Sequence, residues 1–188
     1  SKSAIIALQQ KTKNFATLFE ISSMVSNVDD ADILLKSILD VLLKVPGGDF
    51  AYVALLENNE LIPKVSRSTS GALERFVLSK SVSKYVLDEQ CAVLAPDLRN
   101  DVRFASSESI IVGPTGSIMA VPMLRENKVR GLIALCTAEV RHEAEEEDLD
   151  LLCVVAGMVG SALENLELTA QRERNLKFSC PKFEYRFF

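Results

Sequence analysis

The 188-residue sequence has little of what catalytic and metal-binding sites commonly use. Its one histidine, His142, follows a polar stretch and precedes a run of acids, which suits a surface loop better than a metal site or a Ser-His-Asp triad. Its four cysteines show no CxxC or metal-ligand spacing, and they are Cys91, Cys136, Cys153 and Cys180. Two of them fall inside apolar strand or helix patterns, so we expect buried, reduced thiols rather than a disulfide framework.

Three further absences restrict the partners. The formal net charge is −5 and the basic residues are scattered, which argues against a nucleic-acid partner. We find no apolar run of the roughly 20 residues that a bilayer requires, and the N-terminal SKSAIIALQQKTKNF lacks the apolar block and cleavage site of a secretory signal. There is also no glycine-rich loop to bind a phosphate. We therefore expect a cytoplasmic protein with no membrane and no direct nucleic acid as partner.

The sequence does contain clear helical patterns. Apolar residues recur at three- and four-residue steps in an N-terminal helix, at Ile5, Leu8, Phe15, Leu18, Phe19, Ile21 and Val25, with Ser22 on the same side. Asp29 and Asp30 are expected to cap a second helix, which Pro46-Gly47-Gly48 ends. The apolar stripe of this second helix is Ile33, Leu34, Ile38, Val41 and Leu42.

The remainder reads as strands, one short helix and one long helix. In chain order the predicted elements are a hairpin of Phe50–Leu56 and Glu60–Ser66 turning at Asn58-Asn59, a polar loop at Ser66–Gly71, a helix from Ser79 through Leu87, a strand at Cys91–Leu94, a polar connection at Pro96–Ser109, a hairpin of Ile118–Met123 and Val129–Ala138 turning at Glu126-Asn127, and a final helix beginning within Glu143–Asp148. This order predicts an α+β fold, with an antiparallel five- or six-stranded sheet, the N- and C-terminal helices packed on one face, and the short helix and loops on the other. A face covered by a short helix and loops commonly encloses a small ligand.

The second half of the chain carries a family resemblance. The stretch CAVLAPDLRNDVRFASSES, followed by SIMAVPM, KVRGLIAL and EEEDLDLLCVVAGMVGSALENLEL, resembles a GAF domain, the small-molecule sensing and dimerisation module of signalling proteins. The pattern consists of Asp97, Ser117, Pro122, Gly131 and Asp148 in this order and spacing. The resemblance implies a GAF domain at 15–168, an N-terminal linker and helix at 1–14, and a C-terminal linker helix and aromatic tail at 169–188.

Most of the specific chemistry of the family is not matched. Of the residues typical of cyclic-nucleotide-binding members only an Asp, Asp148, is present, and bilin-binding members have a Cys beside a His, whereas His142 is far from Cys91. One branch reduces free methionine sulfoxide with several cysteines, but Arg103–Ser109, where the resemblance places a partner for Cys91, contains none. The acids Glu143, Glu145, Glu146, Glu147 and Asp148 are interpreted as a solvated loop and helix start. We therefore expect no enzymatic activity, and the cofactor is unknown.

The candidate ligand contacts surround the open face of the predicted sheet, and they are Arg67, Asp97, Arg99, Asp101, Phe104, Ser117 and Met119. Arg99 and Asp101 have an alternative role as an internal salt bridge that orders the connection, and Phe104 has one as a plug in the core. The apolar positions Tyr52, Ala54, Ile118, Ala120, Ile133 and Leu135 suit either a modest organic ligand or a filled core.

The final helix predicts a second subunit. Its apolar positions are Leu149, Leu152, Val155, Ala156, Val159, Ala162, Leu163 and Leu166, and Gly157 and Gly160 suggest a close neighbour, since glycine costs about 1 kcal/mol relative to alanine inside a helix. We predict a parallel homodimer through Ile5, Leu8, Phe15, Val159, Leu163 and Leu166, which passes a signal to an effector domain in the same chain. Two functions stay open: a regulatory domain of a signalling or transcription-regulatory protein that senses a small molecule, or a dimerisation module without ligand.

Overall fold

A computed structural model describes residues 2–44, 48–71, 78–104, 116–140 and 146–179, with side chains to residue 176. Its elements are α1 (Lys2–Asn27), α2 (Ala31–Leu42), β1 (Phe50–Glu57), β2 (Glu60–Ser68), α3 (Lys80–Glu89), β3 (Val93–Ala95), β4 (Ile118–Arg125), β5 (Lys128–Cys136) and α4 (Glu146–Ser179). His142, Cys180, Glu143, Glu145, the Pro46-Gly47 stop and the last nine residues of the aromatic tail lie outside the described residues.

The strands form one antiparallel sheet in the order β2-β1-β5-β4-β3. Both predicted hairpins are present, and their two-residue turns have positive φ angles, 51° and 65° at Asn58 and Asn59 and 49° and 60° at Glu126 and Asn127. Paired left-handed residues give a turn whose twist matches that of the flanking strands, and asparagine tolerates this conformation better than most residues. The turns set the pairing beside them, and an irregularity at Val53/Ala54 and another at Met123/Leu124 shift the register further along the strands.

The helices α2 and α4 pack on one face of the sheet, which we call the terminal-helix face, and α1 packs on both of these helices. The second helix begins where predicted, because the Asp30 carboxylate accepts a hydrogen bond of 2.9 Å from the Ile33 amide and so satisfies a free N–H of the first turn. The predicted stripe is shifted, since Ile33 is 57% exposed whereas Leu35 and Leu39 are buried. The apolar side of α2 is thus centred on Leu35, Ile38 and Leu42.

The short helix α3 packs on the opposite face together with Leu98 and Phe104 from the connection after β3. Val82 and Val86 are the buried residues of α3. Helices on both sides of an antiparallel sheet confirm the predicted α+β fold and its division into terminal helices on one face and a short helix with loops on the other.

The helix α4 is long and apolar enough over Glu146–Leu176 to cross a membrane by length and composition, which differs from the expectation that the chain has no such run. Its most apolar stretch includes Leu151, Leu152, Val155 and Val159, all buried in the core between α4 and the sheet. Packing in this core accounts for their apolar character, so length and composition alone are weak evidence for a membrane-spanning helix.

Candidate functional site

The two faces of the sheet differ in side-chain size. Strand pairing places Tyr52, Ala134, Ala120 and Val93 in one row beneath α3, and Phe50, Cys136, Ile118 and Ala95 in the adjacent row. We call this surface the α3 face. The corresponding rows on the terminal-helix face are Val53, Ile133 and Val121, and Ala51, Leu135 and Met119, so they contain one alanine where the two rows under α3 contain three.

Alanine dominates the middle of the α3 face. Ala54, Ala120 and Ala134 are fully buried, although each side chain ends at Cβ. Short side chains at the centre of this face leave depth above the sheet, and in this structure Val82, Val86, Leu98 and Phe104 pack into the same buried cluster over them. Tyr52 supplies a hydroxyl to this floor, and burial raises the pKa of its phenol, so the group stays protonated at neutral pH.

The connection from Asp97 to Phe104 forms part of the cover. The Asp97 carboxylate accepts hydrogen bonds from the Asn100 side chain at 2.7 Å and from the Asn100 amide at 3.2 Å, and the Phe104 amide donates to the Asp101 carbonyl at 2.9 Å. Leu98 and Phe104 are each no more than 5% exposed and pack against the α3 face. The segment is therefore a folded wall that directs Leu98 and Phe104 inward, while Val102 is exposed.

Arg103, which the sequence reading did not single out, holds this wall together. Its Nε and Nη2 donate to the two carboxylate oxygens of Asp101 at 2.9 and 2.7 Å, and Nη2 also donates to the Leu94 carbonyl at 2.8 Å. The guanidinium lies 5.1 Å from the ring centroid of Phe104 and 5.8 Å from that of Tyr85. The hydrogen bond from Arg103 lowers the pKa of Asp101, and the same bond raises the pKa of Arg103.

The predicted ligand contacts do not all reach this site. Phe104 lies in the core of the α3 face, which agrees with its alternative role as a plug, while Arg99 is exposed. Asp101 does form a salt bridge that orders the connection, but its partner is Arg103 and not Arg99. The buried Ser117 donates its hydroxyl to the Pro96 carbonyl at 2.7 Å and so joins the start of β4 to the start of the wall.

Two predicted contacts lie on the other side of the sheet. Met119 packs in the core with the terminal helices, because it alternates with Ile118 and Ala120, which face α3. Arg67 forms an ion pair of 3.1 Å with Asp40 of α2, which also packs on the terminal-helix face. The placement of Met119 and Arg67 on the ligand side was wrong.

The cysteines differ in accessibility. Cys136 is buried on the α3 face and Cys153 on α4 is exposed. Burial raises the pKa of both thiols, and the nearby Asp150 adds to the effect at Cys153, so neither is an activated thiolate. Cys91 is half-buried, and among the described residues no group of His, Cys, Asp and Glu is arranged to hold a metal.

The terminal helices run parallel. Phe19 lines a groove of about 620 Å³ with Val154 and Met158, whereas Val25 lines one of about 700 Å³ with Leu166, so both helices advance in the same direction. Most of the first half of α1 is exposed and extends from one end of the domain, while the last part of α4 extends from the other. Beyond Leu166, the 13 further residues to Ser179 span roughly 20 Å at the helical rise.

The predicted dimer residues divide into two groups. Ile5, Leu8 and Phe15 are 58%, 67% and 72% exposed, whereas Val159 is fully buried in the core of its own protomer. Leu163 is 9% exposed and Leu166 packs at the edge of the same core. Gly157 also needs no close neighbour within the protomer, since an added Cβ would meet no atom within 4 Å. The apolar surface available to a second chain is therefore mainly on α1.

A family model for the GAF domain matches residues 28–164. The chain belongs to the GAF domain family. A comparison with curated protein sequences finds no significant match.

Solved structures resemble this GAF domain over most of its length. The A. aeolicus nlh2 GAF domain in an inactive state has a TM-score of 0.67 at 19% identity, and the match covers 82% of this chain and 98% of the nlh2 chain. The GAF domain from Acinetobacter phosphoenolpyruvate-protein phosphotransferase has a TM-score of 0.67 at 15% identity, with 82% and 94% covered. The free methionine-R-sulfoxide reductase from Neisseria meningitidis, in complex with its substrate, has a TM-score of 0.69 at 15% identity, with 83% and 91% covered.

The reductase structures correct one expectation. We had excluded enzymatic activity from the cysteine pattern, but free methionine-R-sulfoxide reductases share this fold over most of both chains. The GAF architecture is therefore compatible with catalysis, and the exclusion does not stand. At these identities the likeness shows the fold alone, which at the family level is that of regulatory and sensing domains.

Proposed function

We propose that this GAF domain senses a small organic molecule at the α3 face and transmits its binding through the terminal helices of a homodimer. The observation that carries the proposal is the difference between the two faces of the sheet. Larger aliphatic side chains predominate on the terminal-helix face, whereas the α3 face has Ala54, Ala120 and Ala134 at its centre and the buried Tyr52 beside them. Apolar floors with a few polar groups are typical of small-molecule sites.

The exposed side of α1 supports the dimer. Ile5, Leu8, Thr12, Phe15, Phe19 and Ser22 are spaced alternately by three and four residues, which is the a/d pattern of a coiled-coil seam. Ile5, Leu8, Phe15 and Phe19 are at least 58% exposed in the protomer. A second copy of α1 would cover this seam and leave α3 free to respond to ligand.

The remaining predictions belong to the same proposal. We propose domain bounds of 15–168 with flanking segments 1–14 and 169–188, an effector domain in the same chain, and a cytoplasmic location. The module would then be part of a larger signalling or transcription-regulatory protein. In such a protein, α1 and α4 extend from opposite ends, so displacement of one helix along the other can pass from an upstream to a downstream segment.

Ligand binding can be tested by thermal-shift screening with cyclic nucleotides, amino acids and aromatic acids. A compound at a hundred times its dissociation constant adds about 2.7 kcal/mol, or roughly 5–10 °C in Tm for a domain of this size. Ala120→Val should weaken the shift by filling the α3 face, while Ala51→Val, the same change at a buried alanine on the terminal-helix face, should retain it. If no compound shifts the Tm, the alternative of a dimerisation module without ligand is favoured.

The dimer can be tested by light scattering. Phe15→Lys combined with Phe19→Lys should give a monomer, because two lysines per chain would face each other across the seam. Ile6→Lys is the matched control, since Ile6 is 65% exposed but lies off the seam. A wild-type chain that is monomeric at about 100 μM, well above common cellular concentrations, would contradict the dimer.

A further inference from the structure

Arg103 connects three elements around the α3 face. It contacts Asp101 within the wall and the Leu94 carbonyl of β3, and it lies within 5.8 Å of the ring centroid of Tyr85 in α3. The ring of Phe104 meets Tyr85 edge-on at a centroid distance of 5.6 Å, so this aromatic contact and the guanidinium lie side by side. Because the Arg103 guanidinium donates to both oxygens of one carboxylate, the orientation of the Arg103 side chain is fixed as well as its distance from Asp101.

The contacts of Arg103 also lie where they can break while the larger core stays packed. The Arg103 side chain is 35% exposed and that of Asp101 is 13% exposed, so water can reach the guanidinium. The larger core, between the sheet and the terminal helices, contains neither residue. Segments with few buried contacts open locally at lower free energy than the whole domain.

We propose that Arg103, oriented by Asp101, is a positioning residue that holds the Asp97–Phe104 wall against the α3 face through the Leu94 carbonyl and Tyr85, so that release of these two contacts opens this face to small molecules. The inference deepens the proposed function by naming what controls access to the site. Opening moves Leu98 and Phe104 away from the floor, and it exposes the side chains that they cover.

Cys136 provides a reporter of this opening, because it is 1% exposed and belongs to the same apolar cluster as Phe104. In the full chain carrying Cys91→Ser, Cys153→Ser and Cys180→Ser, the rate at which a maleimide labels Cys136 measures access to the α3 face. Adding Arg103→Met should raise this rate about tenfold, and Arg103→Lys, which keeps the charge but loses the fork, should raise it less.

Arg125→Met is the matched control, since Arg125 forms an ion pair with Glu164 of α4 at the opposite face. It should change the labelling rate less than twofold. Local opening is recognised by a rate that varies little with dilute urea, whereas labelling through global unfolding rises with the full urea dependence of stability.

An unchanged labelling rate in Arg103→Met, or a raised rate with the full urea dependence, would overturn the proposal and leave Arg103 a purely structural residue. Circular dichroism checks that each variant is folded. If the Arg103→Met variant does not fold, Asp101→Asn, which removes the carboxylate that orients Arg103, provides the same test. No ligand is present in the assay, so failure of the ligand screen and failure of this inference give different results.

Discussion

The close packing between β5 and its neighbours predicts a large effect of Gly131→Ala. A Cβ at Gly131 would overlap the carbonyl oxygen of Ala54 on β1, and it would lie 2.6 Å from Met123 Cε and 3.0 Å from Leu55 Cα. Overpacking a core costs typically 1–3 kcal/mol. Two of the three atoms belong to the backbone and cannot move without shifting β1, so we expect the upper end, about 3 kcal/mol.

Gly157→Ala makes the same chemical change where space is open, since the added Cβ meets no atom within 4 Å. In a helix interior this change should stabilise by about 1 kcal/mol. The assay is urea unfolding followed by circular dichroism, at one protein concentration so that dimerisation does not alter the comparison. A Gly131→Ala variant that loses less than about 1 kcal/mol would refute the strand spacing on which this argument rests.

Two more predictions follow from individual hydrogen bonds. Asp30→Ala should destabilise by about 1 kcal/mol in urea unfolding because it removes the cap on the Ile33 amide, whereas Asp29→Ala, one residue earlier, should change stability by less than about 0.5 kcal/mol. The stability difference between wild type and Asp101→Asn should be constant near about pH 6 and shrink as pH falls through 3.8, because the hydrogen bond from Arg103 lowers the folded-state pKa below that ordinary value. An Asp101→Asn difference that grows on acidification would contradict this sign.

Local features were predictable because their causes lie within a few residues. The turns at Asn58-Asn59 and Glu126-Asn127 follow from short polar breaks between apolar runs, and the start of α2 follows from the capping geometry of Asp30. The order of helices and hairpins was enough to predict the α+β fold, since an amphipathic helix must bury its apolar stripe on a neighbouring sheet.

The faces of the central strands were harder to assign. Ile118, Met119, Ala120 and Val121 are all buried, so no polar residue marks which side of β4 meets solvent. Met119 was therefore assigned to the wrong face. Arg67 was misplaced for a related reason, because its partner Asp40 lies on α2, 27 residues earlier.

The sequence by itself determined the elements and their order, because periodicity and turn residues act over one or two turns of chain. Only the tertiary structure decided that Val159 belongs to the core of its own protomer, that Arg103 rather than Arg99 holds Asp101, and that alanines line the α3 face as one surface. These facts depend on distances between segments far apart in the chain, which packing sets and local pattern does not encode.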